Sequence, residues 1–214
     1  MYFPFLSTLK FMRKNLAALL LIAAIAVGVY PQSSTKDKNE LSVWSGFSPT
    51  STASIIGRTR SARYGTIAFR YARRFNTGDQ VNLRYTADIV PSAIVNFPDV
   101  EIRPPSFRAV RETRYGFGMA PAGIQVNFRP RKKLQPFIAA SGGMLYFNER
   151  LPNYTGTRFN FTADIGGGIQ YELNSGRSIT FGYKYHHISN GNRGIDNPGI
   201  DNNLFYVGYT FFSN

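Results

Sequence analysis

Polar and apolar residues alternate with a period of two along most of the chain from Leu41 onward. In the clearest run, 159–172, the odd positions are apolar or aromatic apart from one glycine, and the even positions are polar, acidic or glycine. The segments 80–89 and 66–73 repeat the pattern. A period of two is that of a β-strand whose two faces meet different surroundings, and no run of helix length shows a period of 3.6. The pattern therefore predicts an all-β chain.

The alternating segments predict eight strands joined by links of alternating length. The strands lie near 41–49, 64–74, 80–90, 115–128, 136–148, 159–173, 178–190 and 203–212. Outer-membrane barrels have an even number of strands, short periplasmic turns and longer outward loops, and a strand of about 9–11 residues crosses a bilayer at a tilt. We therefore predict an eight-stranded antiparallel up-and-down transmembrane β-barrel with both termini in the periplasm. A secreted β-sandwich or a lipocalin-like barrel is the alternative, because either would turn the apolar face toward a core.

Two further features concern the inside and the regularity of this barrel. The apolar phase changes at Pro121, which predicts a β-bulge there. Charged residues with the inward phase come from several strands: Arg70, Arg84, Asp88, Asp164, Glu172 and Lys184. Side chains fill the interior of a barrel of this size, so we expect a paired polar network and no channel.

The N-terminus has the form of an export signal. Lys10, Arg13 and Lys14 precede an apolar run over 16–29, as in a secretory signal peptide. A short membrane anchor is the alternative, although the run is shorter than the roughly 20 residues of a spanning helix. The predicted division of the chain is a signal peptide at 1–30, a short polar segment at 31–40 and the barrel at 41–214. The predicted location is the bacterial outer membrane.

Composition removes several kinds of chemistry. The chain has no cysteine, which excludes disulfides, thiol catalysis and Cys-ligated zinc. Its two histidines, His186 and His187, are adjacent, and they argue against a His-rich metal site, so we expect neither metal nor cofactor. The formal charge of +13 first suggests a nucleic-acid partner, because basic domains bind phosphate.

The candidate chemistry lies at the end of the seventh predicted strand. His187 and Ser189 share its outward phase, and side chains two apart on one face are neighbours. Asp201 is in phase with the outward residues of the last strand, so it reaches His187 if that strand extends far enough. A hydroxyl beside an imidazole that is backed by a carboxylate is the arrangement of an activated serine nucleophile. The alternative is that all three residues lie in the lipid headgroup zone, where polar side chains are common. His186 has the inward phase with Lys184 and is not the expected base.

The segments 187–190 (His-Ile-Ser-Asn) and 197–201 (Asn-Pro-Gly-Ile-Asp) resemble the signature of the outer-membrane lipid A 3-O-deacylases of the PagL type. That family is an eight-stranded barrel whose His-x-Ser pair faces the outer leaflet, with a third residue, usually glutamate, fourteen positions beyond the histidine. Asp201 stands fourteen positions beyond His187 and departs from the family in being aspartate.

The resemblance implies a serine esterase that removes the 3-O-linked hydroxyacyl chain of lipid A, with Ser189, His187 and Asp201 as the catalytic residues. It also implies that Asn190 helps bind the oxyanion and that Gly191 lets the backbone approach it. The partner is then lipopolysaccharide in the outer leaflet and not nucleic acid. Arginines in the predicted outward loops suit its phosphates: Arg58, Arg60, Arg63, Arg103, Arg108, Arg111, Arg114, Arg150, Arg158 and Arg193. A non-catalytic adhesin or structural barrel, and a barrel phospholipase or acyltransferase, remain the alternatives.

Overall fold

The computed structural model describes residues 39–53, 55–76, 80–104, 106–174 and 176–213. The predicted signal peptide (1–30) and residues 31–38 lie outside the described residues. Within the described part of the chain, no helix is long and apolar enough to cross a membrane. The strands are β1 (Asn39–Ser48), β2 (Ser51–Thr52), β3 (Arg63–Arg74), β4 (Val81–Arg103), β5 (Ser106–Phe128), β6 (Leu134–Leu151), β7 (Thr157–Asn174), β8 (Arg177–Ser189) and β9 (Ile200–Ser213).

Eight strands close into a ring. From β3 to β9 each strand pairs antiparallel with the next, and β1 pairs with both β3 and β9. The two-residue strand β2 pairs with the beginning of β9 outside this ring. The prediction of an eight-stranded antiparallel up-and-down barrel is confirmed. The longer connections, 49–62 and 190–199 among them, lie at one end, which we call the loop end.

The predicted loop at 91–114 is wrong, because β4 and β5 continue through it as one long hairpin. Its pairing runs to Arg103↔Ser106, whereas β3 begins opposite Asn96. The hairpin therefore extends beyond the rim of the barrel. The sequence of 91–114 contains Pro91, Pro98, Pro104 and Pro105 and many charged residues, which is the composition of a loop. The first and last strands also start earlier than predicted, at Asn39 and Ile200.

The outward face of the ring is apolar and exposed. Large side chains such as Phe69, Ile89, Phe117, Phe181 and Phe205 are 53% to 66% exposed around the barrel. A continuous apolar belt of this kind is the surface that a transmembrane barrel presents to lipid. The bulge predicted at Pro121 is confirmed, since the register between β5 and β6 shifts between Met119 and Ala122.

The inside of the barrel is filled by side chains, and the predicted polar network occupies its middle and the part farther from the loop end. Arg70 binds both carboxylate oxygens of Asp88, at 2.7 and 2.8 Å, and Lys184 lies 3.0 Å from Asp164. Arg84 pairs with Glu40 at 2.6 Å. Pairing compensates the cost of removing these charges from water.

Apolar side chains close the interior at the loop end, which the alternation did not predict. They are Tyr64, Val95, Phe97, Leu145, Phe147, Leu151, Ile188, Ile200 and Leu204, each at most 3% exposed. This apolar plug includes the inward-facing residues that neighbour the candidate site on β8 and β9.

Candidate active site

The pairing of β8 with β9 places His187 directly opposite Asp201. The neighbouring inward pair is Ile188 and Ile200, both only 1% exposed within the apolar plug. A slip of one residue would turn these two isoleucines outward, so their burial fixes the register. Nδ1 of His187 lies 2.7 Å from Oδ1 of Asp201, which is a hydrogen-bond distance.

The His187–Asp201 pair is buried although it lies on the outward face. Asp201 is 0% and His187 8% exposed, because a segment of the first long connection covers them. We call residues 55–59 the strap. The backbone amides of Ile55 and Ile56 donate to Oδ2 of Asp201, at 3.3 and 3.0 Å. The sequence did not predict the strap, because its donors are backbone amides, which every residue type except proline carries. The one residue in it whose type reflects the contact is Gly57, where a Cβ would lie 2.7 Å from Oδ1 of Asp201.

Ser189 is the last residue of β8 and pairs with Phe161 of β7. It follows His187 on the same outward face and is partly exposed. His187 and Ser189 are successive outward-facing residues of β8. Among the described contacts there is no hydrogen bond between their side chains. Because Nδ1 of His187 is engaged by Asp201, Nε2 is the ring nitrogen left to accept a proton from a neighbouring hydroxyl.

A tight turn follows Ser189. The backbone N–H of Arg193 donates to the carbonyl of Asn190 at 3.3 Å, and Gly191 and Asn192 both have positive φ, 62° and 60°, as in a type I′ turn. Gly191 packs closely on the Phe161 ring, since a Cβ there would lie 3.0 Å from it. The turn thus lies over the same outward face as Ser189.

Asn190 is buried at 2% exposure and holds the loop after this turn. Its Nδ2 donates to the carbonyl of Asp196 at 2.7 Å, and its backbone N–H donates to Oδ1 of Asn197 at 3.0 Å. In this arrangement the Asn190 amide is directed into the loop. Its role as an oxyanion donor stays a prediction.

His186 points into the barrel, as its phase predicts. Its Nδ1 lies 2.5 Å from Oδ1 of Asp164, and its ring stacks on Tyr64 with a centroid separation of 4.7 Å. The two adjacent histidines therefore lie in different environments, His186 among the interior side chains and His187 on the outward face.

Some of the outward arginines are already used within the protein. Arg58 pairs with Asp196 at 2.6 Å, Arg111 donates to the carbonyl of Ser61 at 2.9 Å, and Arg114 lies 3.2 Å from Glu149. The guanidinium of Arg193 lies 5.5 Å from the ring centroids of both Phe159 and Phe161. Arg193 is thus the cation held beside the strand position of Ser189. Over the described residues, no group of three or more His, Asp or Glu side chains is arranged to hold a metal ion.

The family model described as lipid A 3-O-deacylase (PagL) matches residues 79–210. The crystal structure of the outer membrane enzyme PagL superposes with a TM-score of 0.56 and 18% sequence identity, covering 78% of this chain and 97% of that chain. The crystal structure of Neisserial surface protein A (NspA) gives a TM-score of 0.49 and 12% identity, over 84% of this chain and 100% of that chain. No curated protein sequence matches the chain significantly.

Proposed function

The chain belongs to the lipid A 3-O-deacylase (PagL) family, and on that premise we propose that it is an outer-membrane serine esterase that removes the 3-O-linked hydroxyacyl chain of lipid A. Ser189 is the nucleophile, His187 the general base and Asp201 the acid that orients the imidazole. The observation that carries this proposal is the contact of 2.7 Å between His187 and Asp201, on the outward face, with Ser189 two residues beyond His187 on β8.

In the first half of the reaction, Oγ of Ser189 attacks the carbonyl carbon of the ester and its proton passes to Nε2 of His187. The bond between that carbon and the sugar oxygen then breaks, and the sugar oxygen takes the proton from Nε2. Asp201 keeps the Nδ1–H tautomer in place and stabilises the imidazolium while it exists. The hydrogen bond between Ser189 and His187 is expected to form in the substrate complex, as is common for catalytic contacts that are absent from a free enzyme.

In the second half, water attacks the acyl-serine while His187 takes a proton from it, and Oγ of Ser189 recovers that proton as it leaves. The products are a 3-hydroxy fatty acid and lipid A with a free 3-hydroxyl. We assign the stabilisation of the tetrahedral oxyanion to the turn after Ser189, where the backbone N–H of Gly191 makes no hydrogen bond with described residues. Asn190 supports that turn through its hydrogen bonds and is the second candidate donor.

The substrate approaches from the side of the membrane. Ser189 lies on the face that bears the apolar belt, so an acyl chain in the outer leaflet reaches it without leaving the lipid phase. Arg193 stands beside this position and is suited to a lipid A phosphate. Residues 1–30 act as the cleaved signal that directs the chain to the outer membrane.

Ser189→Ala tests this function. Wild type and Ser189→Ala are expressed in bacteria whose lipid A carries the 3-linked chain, and lipid A is analysed by mass spectrometry. We expect loss of one hydroxyacyl chain, with a matching free 3-hydroxy fatty acid, in wild type only. Ser45→Ala is the control, since Ser45 is also exposed on the outward face of a strand.

Identical lipid A spectra from wild type and Ser189→Ala, with both proteins folded in the outer membrane, would refute the deacylase and favour a non-catalytic barrel. Transfer of the chain to another lipid, without free fatty acid, would indicate an acyltransferase.

A further inference from the structure

We propose that the strap (residues 55–59) is a positioning element of this catalytic site, holding the Asp201 carboxylate against His187 through backbone amides and leaving room only for aspartate. The inference rests on the proposed function, because it concerns how the third member of the triad is held. It assigns a positioning role to a segment about 145 residues away from Asp201 along the chain.

The carboxylate of Asp201 is held from two sides. Oδ1 faces Nδ1 of His187 at 2.7 Å, while Oδ2 accepts the amides of Ile55 and Ile56 at 3.3 and 3.0 Å. The side chain is fully buried, and a buried carboxylate without hydrogen-bond donors is strongly unfavourable. The strap thus supplies two backbone donors that orient the Asp201 carboxylate under the surface.

Gly57 is where the strap approaches Asp201 most closely. A Cβ at Gly57 would lie 2.7 Å from Oδ1, 2.9 Å from Cγ and 2.9 Å from the backbone nitrogen of Asp201. Its φ is outside the left-handed region, so the need for glycine here comes from space and not from backbone conformation. Any side chain at this position must displace either the strap or the carboxylate.

The strap is attached to the same stretch of chain that carries Asp201. The amides of Arg58 and Thr59 donate to the carbonyls of Pro198 and Gly199, at 2.5 and 3.1 Å, and Thr59 forms a parallel bridge with Ile200. Gly199 completes the packing, since a Cβ there would lie 3.0 Å from Cε1 of His187 and 3.2 Å from Cα of Gly57. Strap, carboxylate and imidazole therefore form one packed unit.

This packing makes the length of residue 201 decisive. Glutamate would extend the carboxylate by about 1.5 Å, one carbon–carbon bond, into the space that the strap occupies. A displacement of about 1 Å of a catalytic group can cost on the order of 100-fold in rate. The site is therefore built for aspartate, and Asp201→Glu is expected to lower turnover although it keeps the charge.

The experiment compares Gly57→Ala and Asp201→Glu with wild type as purified barrels refolded in detergent, with lipopolysaccharide as substrate. We expect kcat to fall about 10- to 100-fold in both variants. KM should be nearly unchanged, because the strap contacts Asp201 and so affects the chemical step rather than the binding of substrate. Gly65→Ala is the matched control, since a Cβ at Gly65 meets nothing within 4 Å at the same end of the barrel. Folding is checked by the mobility of unheated samples in SDS gels.

A double-mutant cycle separates positioning from general stability. In the Asp201→Ala background the carboxylate is gone, so Gly57→Ala should cause no further loss of activity. A structural role alone would add the same loss in both backgrounds. If Gly57→Ala does not fold, Asp201→Glu decides: turnover equal to that of wild type would overturn the proposal.

A second readout does not depend on activity. The NMR resonance of the His187 Nδ1 proton, assigned by its loss in Asp201→Ala, should shift in Gly57→Ala and stay in place in Gly65→Ala. If this resonance shifts in Gly57→Ala while wild type releases no fatty acid, the positioning of the His187–Asp201 pair by the strap is supported and the deacylase function is refuted. If wild type is active and Gly57→Ala leaves both turnover and resonance unchanged, the strap proposal is wrong and the function stands.

Discussion

Asp201→Asn should remove almost all activity while preserving the shape of the site, because the strap decides which way the new amide points. The amides of Ile55 and Ile56 both converge on the Oδ2 position, so the asparagine oxygen must take that position. Its NH₂ group then replaces Oδ1, at 2.7 Å from Nδ1 of His187. The opposite orientation would leave two buried N–H donors facing an NH₂ group, at a cost of about 1–3 kcal/mol for each donor.

With an NH₂ group facing it, Nδ1 of His187 must become the acceptor and the imidazole proton moves to Nε2. Nε2 then cannot take the proton of Ser189. In serine proteases the corresponding change of tautomer lowers kcat by about 10⁴. We expect a loss of about 10³- to 10⁴-fold here, which corresponds to roughly 4–5.5 kcal/mol in the activation free energy.

The assay is the initial rate of release of 3-hydroxy fatty acid from lipopolysaccharide by refolded protein, followed by mass spectrometry. Asp99→Asn is the matched control, because it makes the same substitution on the long β4–β5 hairpin, where Asp99 accepts a hydrogen bond from the backbone amide of Val100. Turnover of Asp201→Asn within about threefold of wild type, in a folded barrel, would contradict both the triad assignment and the orientation argument.

Two further predictions concern the barrel itself. Asp88→Ala leaves the guanidinium of Arg70 buried without its carboxylate partner, so we expect about 3–5 kcal/mol of destabilisation in urea unfolding. Arg58→Ala is the control, because it removes an exposed ion pair and should cost less than about 1 kcal/mol. Equal losses of stability in the two variants would contradict the buried network. Phe69→Arg puts a charge on the middle of the lipid-facing surface of β3 and should lower the free energy of unfolding in vesicles by about 2–4 kcal/mol. Ile195→Arg is the control, since Ile195 is 81% exposed in a connection at the loop end, and it should leave the stability nearly unchanged. Similar losses of stability in the two variants would argue against the apolar belt as the lipid boundary.

The sequence by itself determined the fold of the ring and the faces of its strands. In a barrel strand, every second residue faces lipid and the others face the interior, so alternation over runs such as 159–172 is sufficient to predict strands and their outward side. The same phase put His187 outward and His186 inward, as observed. Prolines and charged residues give 91–114 the composition of a loop, which explains why the continuation of β4 and β5 through it was not predicted.

The tertiary structure decided how the candidate site is enclosed. That His187 and Asp201 are opposite follows from the register of β8 and β9, which the burial of Ile188 and Ile200 fixes. The burial of Asp201 follows from the strap, whose donors are backbone amides from a distant connection. A pattern of side chains predicts which face a residue occupies, whereas only the folded chain determines which backbone atoms cover it, since every residue other than proline carries the same N–H group.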